Sequence, residues 1–114
     1  MKRLLTILCL LILTSCSEEP EILQGPFLIK EGIKYDQKTD KPITGVIIKL
    51  YESGQLRLKE NYKDGKLEGL SELYHENGQL YLRESFKDGE LEGLYEQYWD
   101  NGQLSFKVNY KDGK

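Results

Sequence analysis

The one imidazole in the chain belongs to His75, and its two thiols belong to Cys9 and Cys16. General acid–base catalysis needs a titratable group within hydrogen-bond reach of the proton it moves, and a structural zinc site needs several Cys or His ligands. This inventory meets neither demand, so no catalytic residue, metal ligand or cofactor is assigned, and the expectation is a protein that is not an enzyme. Sixteen Lys and Arg against 19 Asp and Glu give a formal charge of −3, which argues against a cationic grip on nucleic acid.

Two rows of side chains come closest to chemistry. Tyr51, His75 and Trp99 recur at intervals of 24 residues. A position that accepts all three is a flat, amphipathic site, so His75 reads as structural. The row serves either as a contact ladder for a sugar polymer or protein partner, or as cross-strand packing, the plainer reading. Lys59, Arg83 and Lys107, beside Lys63, Lys87 and Lys111, form a second row able to grip anionic headgroups. Glu52, Glu76, Asp100, Glu68 and Glu92 recur near it, and a solvated face that protects the sheet edges accounts for the same pattern. Asp64, Asp88 and Asp112 each supply a single carboxylate, too few for a calcium loop, and turn geometry explains them.

The elements that must position these rows are repeats. Aligned to itself, the chain gives copies over 45–68, 69–92 and 93–114. Each contains a Ser-Gly-Gln-Leu or Asn-Gly-Gln-Leu turn and a Lys-Asp-Gly turn, with β-prone residues between, so each copy is two strands and two turns. Counted from the leading Gly, positions 2, 6, 12, 14 and 18 hold Leu70, Tyr74, Leu80, Leu82 and Phe86 in the middle copy, which predicts one apolar face at period two. Keeping it on one face requires positions 6 and 12 to pair across a three-residue loop with Gly54, Gly78 and Gly102 left-handed. Positions 4 and 16 are then expected on the same face, bringing Glu72 beside Glu84. The fold class expected is all-β: an elongated, single-layer antiparallel sheet of tandem 24-residue hairpins. An opening strand is expected within 32–44, ahead of the repeats.

The amino terminus reads as an export signal. Lys2 and Arg3 precede an apolar stretch from Leu4 to Leu13, which is too short to span a bilayer as a helix. Leu13-Thr14-Ser15-Cys16 resembles the lipobox of bacterial lipoproteins, which implies cleavage after residue 15 and a lipid on Cys16. With Cys9 removed and Cys16 acylated, no thiol is left to form a disulfide. Residues 16–31 are expected to be a solvated tether. Ser17 in place of Asp after the cysteine implies an outer-membrane address in the lipoproteins it resembles.

Asn-Gly-Gln-Leu and Tyr-Lys-Asp-Gly-Lys-Leu-Glu-Gly together resemble the bacterial variant of the MORN-type repeat, over about residues 33 to 114. Chains of this kind are identified as members of the YwqK-family antitoxins. The resemblance implies a β-hairpin repeat and, from eukaryotic MORN repeats, an association with membranes. The expected function is a lipid-anchored envelope protein, held on the membrane through Cys16, that binds a protein or polysaccharide partner without catalysis. The alternative is an antitoxin or immunity protein that occupies the surface of a toxin. An unpaired sheet edge makes an edge-to-edge homodimer a further expectation.

Overall fold

A computed structural model describes residues 21–114. The expected signal segment, Cys16 and the first residues of the expected tether lie outside the described residues.

The nine strands among the described residues all pair antiparallel. Three short ones, β1 (Phe27–Lys30), β2 (Ile33–Asp36) and β3 (Lys41–Pro42), form a small opening sheet. Six longer ones, β4 (Gly45–Leu50), β5 (Leu56–Lys63), β6 (Lys66–Tyr74), β7 (Leu80–Lys87), β8 (Glu90–Tyr98) and β9 (Leu104–Tyr110), form a meander in which every neighbour in sequence is a neighbour in space. The expected tandem hairpins are present. The body measures 56 × 37 × 31 Å.

Both turns follow from their residues. Within each repeat the Gly54 N–H donates to the Tyr51 carbonyl, and the Tyr51 N–H donates to the Gln55 carbonyl, closing the three-residue loop expected at Glu52-Ser53-Gly54. Gly54 sits at φ +93°, in the region open to glycine. The Asn77 and Asn101 side chains lock the equivalent loops by accepting the N–H of Gln79 and Gln103. The second turn is a two-residue one: Asp64, Asp88 and Asp112 have φ near +50°, followed by a left-handed Gly, as the type I′ hairpin requires.

Positions 6 and 12 do pair, as Leu50 with Leu56, Tyr74 with Leu80 and Tyr98 with Leu104. The single even-numbered face does not survive. One pair further along, Lys49 meets Leu58 and Leu73 meets Leu82, so Arg57 and Tyr81 are extra residues in a bulge that shifts the phase. Beyond the bulge, odd positions of the first strand share a face with even positions of the second. Ser71 is therefore buried while Leu70 is 44% exposed. Glu72 and Glu84 fall on opposite faces. One row across the sheet reads Ile47, Glu60, Ser71, Glu84, Tyr95, Val108, and the adjacent row on the other face reads Ile48, Lys59, Glu72, Arg83, Glu96, Lys107.

The folded body begins earlier than expected. Strand β1 lies inside the stretch read as tether, and a Glu31-Gly32 turn joins it to β2. Before it, the Val46 N–H donates to the Glu21 carbonyl and the Leu23 N–H donates to the Val46 carbonyl, each at 2.7 Å, so residues 21–23 line the edge of β4. The best-buried apolar residues, Ile43, Val46 and Ile47, sit at this junction.

Candidate functional site

The row Tyr51, His75, Trp99 lies at the loop ends of the stacked hairpins, where its first two members are used to join repeats. The Tyr51 hydroxyl donates to the Tyr74 carbonyl, one repeat on. His75 Nε2 lies 3.1 Å from the Tyr98 carbonyl, the equivalent acceptor in the next repeat, and an N–H there donates to it. Asn77 repeats the pattern by donating to the Asp100 carbonyl at 2.7 Å. The His75 ring also meets Tyr81 edge-on at 4.9 Å. Trp99 is 59% exposed. The row is thus packing at two positions and an open aromatic surface at the third.

The basic row splits in the same way. Lys59, Arg83 and Lys107 alternate in register with Glu72 and Glu96, so they form one half of a ladder of alternating charge rather than a free cationic patch. Arg83 bridges to Glu72 at 3.3 Å and Lys107 to Glu96 at 3.9 Å. Lys63, Lys87 and Lys111 are exposed beside the Asp-Gly turns. On this face the Tyr74 hydroxyl is raised above its ordinary pKa by burial and then by Glu72.

At the opposite end of the hairpins, three stacked contacts escaped sequence reasoning. The N–H groups of Gly65, Gly89 and Gly113 donate to the carbonyls of Ile43, Leu67 and Leu91, one repeat back. The N–H groups of Asp64, Asp88 and Asp112 donate to the side chains of Thr44, Glu68 and Glu92. Glu68 and Glu92, read as charge balance, are acceptors that hold the next turn in place.

Two features stand on the face that carries the row from Ile47 to Val108. Glu84 is raised above the ordinary carboxylate range, first by burial and then by Glu60. A cleft of about 330 Å³ opens where the opening sheet meets the turns of the first two repeats, lined among others by Ile29, Lys34, Tyr62, Leu67, Asp88 and Glu90. In it the Lys34 ammonium donates to the Tyr62 hydroxyl at 3.1 Å, and that hydroxyl donates to Glu60 at 3.3 Å. Burial and Glu60 push the Tyr62 pKa up to about 12. Among the described residues no cluster of three or more His, Cys, Asp or Glu is arranged to hold a metal ion.

Three blocks, residues 43–64, 67–88 and 91–112, match the family model described as MORN repeat variant, and together they span more than half of the chain. The chain belongs to this MORN repeat family. Each matched block begins at Ile43, Leu67 or Leu91, the residue whose carbonyl receives the glycine N–H of the following turn. The MORN repeat frame therefore starts two residues before the leading glycine from which the sequence period was counted. No curated protein and no solved structure matches the chain.

Proposed function

We propose that this MORN repeat protein is a non-catalytic binding module, anchored in the bacterial envelope through a lipid on Cys16, whose repeat sheet contacts a protein or surface polymer. The observation that carries the binding role is the division of labour within the row. Tyr51 and His75 join repeats, while among the described residues Trp99 at 59%, Leu104 at 50% and Phe106 at 51% are exposed on the hairpin of the third repeat. Exposed aromatic and aliphatic side chains on a rigid β-scaffold are what a partner surface can bury. The anchoring role is supported by Leu13-Thr14-Ser15-Cys16 after a short apolar stretch, and an outer-membrane address by Ser17. Several acyl chains on one cysteine give durable attachment without a membrane-spanning segment.

A second reading uses the same surface: an antitoxin or immunity protein that neutralises a toxin by covering it. The address separates the anchored module from a cytosolic antitoxin, which does not carry a functional lipoprotein signal, though an envelope immunity protein could carry one.

The test is incorporation of labelled palmitate in a bacterial host, with the intact chain and Cys16→Ala side by side, followed by separation of inner and outer membranes. Label that disappears with Cys16 and sediments with the outer membrane supports the anchored reading. An unlabelled, cytosolic protein that retains Met1 removes it and leaves the antitoxin reading.

A further inference from the structure

The two edges of the six-stranded meander differ. Along β4 the edge is covered by residues 21–23, which exchange hydrogen bonds with both backbone groups of Val46. Along β9 the outer edge is open, since β8 is its only neighbour among the described strands. Equivalent positions of the three repeats record the difference. Leu56, Leu58 and Lys59, then Leu80, Leu82 and Arg83, are half-buried where a following strand runs alongside, whereas Leu104, Phe106 and Lys107 are exposed. Tyr51 and His75 are half-buried and Trp99 is exposed in the same way. Leu104 lies across from Tyr98 and Phe106 across from Gln97, adjacent residues of β8, so the two flank the edge from opposite faces of the sheet. A flat surface pressed on one face reaches one of them; a strand laid along the edge reaches both.

The junctions inside the sheet specify which strand fits. Lys59 of β5 faces Glu72 and Arg83 of β7 faces Glu96, while Tyr62 faces Leu67 and Phe86 faces Leu91. Their equivalents on β9 are Lys107 and Tyr110. A strand that continues the pattern carries an apolar residue opposite Tyr110 and, five residues further on, a carboxylate opposite Lys107. Its backbone has a partner too. The Tyr51 hydroxyl and the His75 ring donate to the carbonyls of Tyr74 and Tyr98, each two residues beyond the glutamate of the facing strand. The indole N–H of Trp99, a donor only, stands at the equivalent place.

We propose that the outer edge of β9 is a strand-addition site, at which an extended segment of another protein pairs antiparallel as a seventh strand, with a carboxylate on Lys107, an apolar side chain on Tyr110 and a carbonyl on the Trp99 indole. The proposal rests on the third hairpin as the contact surface and narrows the partner to a protein. In this mode main-chain hydrogen bonds supply affinity and the facing side chains supply specificity, here also fixing the register. A second copy of the chain is a poorer occupant on two counts. Its β4 edge is already held by residues 21–23, so copies do not continue one sheet head to tail. Two β9 strands paired antiparallel about their centres set Lys107 against Lys107, and like charges directly opposite destabilise a strand pair.

The test uses the full-length, exported protein in detergent, with palmitate label followed in the same preparation. The probe is a peptide of residues 66–76 of this chain, which holds Leu67, Glu72 and the Tyr74 carbonyl at the required spacing. Binding is read from the anisotropy of fluorescein-labelled peptide, and from the emission of Trp99, the one tryptophan in the chain, with unlabelled peptide. Saturable binding with a blue shift of Trp99 is expected. Lys107→Glu should weaken it about fivefold, and a peptide carrying Glu72→Lys should recover the loss. Trp99→Phe should weaken it to a similar degree, about fivefold, and leave the thermal melt unchanged. No saturable binding, or binding indifferent to these changes, overturns the strand-addition site; palmitate label in the same samples then leaves the anchored module standing. A Trp99 response to a muramidase digest of peptidoglycan, with none to the peptide, assigns the hairpin to a polymer and overturns the site. A blue shift without peptide, accompanied by a doubling of mass as protein concentration rises, assigns the edge to a second copy and also overturns it.

Discussion

The imidazole of His75 and the carbonyl of Tyr98 lie 3.1 Å apart although 23 residues separate them in sequence, and Tyr51 makes the same bond to Tyr74 one repeat earlier. A histidine that repeats a tyrosine's hydrogen bond is a joint between repeats. His75→Ala should lower the unfolding free energy by about 1 kcal/mol, the ordinary worth of one such bond. His75→Tyr should recover most of it, since the Tyr51 geometry shows that a phenol fits. Denaturant unfolding of the two variants checks this; equal losses in both would mean that the ring's contact with Tyr81, not its nitrogen, is what matters.

The carboxyl of Glu84 has a pH signature of its own. Burial and Glu60 raise it above the ordinary range, so the folded state binds its proton more readily than the unfolded state does. Its contribution to stability therefore rises as pH falls through the window between the ordinary and the raised value. Glu84→Gln should be more stable than the parent at pH 7, and the difference should shrink steadily as the pH is lowered through the carboxylate range. Thermal melts of both proteins across that range give the comparison directly.

Tyr62 acts at the other extreme. With its hydroxyl pushed up to about 12 in the folded protein, the unfolded chain ionises first as pH passes about 10. Stability falls between these values. Tyr62→Phe should abolish that fall, at the cost of the hydrogen bonds to Lys34 and Glu60 at neutral pH. Absorbance of the phenolate during alkaline titration, set beside unfolding curves, reports both effects.

Two glycines separate strain from collision. Gly54 has a positive φ and open space around it, so Gly54→Ala should cost about 1 kcal/mol from backbone strain alone. Gly45 has φ +147°, and an added Cβ would lie 2.6 Å from the Glu21 carbonyl and 2.9 Å from Leu23. Gly45→Ala should cost about 3 kcal/mol, combining strain with overpacking, and should release residues 21–23 from the β4 edge. Amide hydrogen exchange at Leu23 reads the second effect separately from global unfolding.

The turns between Asp-Gly pairs allow one more measurement. Glu92 accepts the Asp112 N–H at 2.7 Å and Glu68 accepts the Asp88 N–H at 3.0 Å. Glu68→Ala should destabilise by about 1 kcal/mol, as expected of a charge-assisted bond at an exposed site. Glu68→Thr should be milder, because Thr44 fills the same role for Asp64.

Features that depend on neighbouring residues were readable from the sequence. Ser53-Gly54 and Asn77-Gly78 specified the three-residue loop, and Asp64-Gly65 the tight turn, because the conformations these turns need are open to few residues. The sidedness of the strands was not readable. A bulge at Arg57 or Tyr81 changes which residues face inward, and nothing in Leu-Arg-Leu or Leu-Tyr-Leu distinguishes a bulged strand from a regular one. Phe27-Leu28-Ile29-Lys30 escaped notice because it lacks alternation and ends in Glu-Gly, a weaker turn signal than Asp-Gly. The roles of Glu68 and Glu92 were hidden for another reason: each acts on a backbone N–H 20 residues away, a partner that no local pattern points to.

At the loop end of the hairpins, side chains of an earlier repeat donate to carbonyls of the later one; at the Asp-Gly end, backbone groups of the later repeat donate to the earlier one. Each junction therefore has a direction, like a zip with different teeth on its two sides. Whole units of 24 residues keep both sides of a junction in step when inserted or deleted, since equivalent positions then face each other again. A single residue gained or lost within a strand puts both sides out of step at once. Length changes in this chain are thus expected to be tolerated in steps of a whole repeat, with reach as the property that changes from one step to the next.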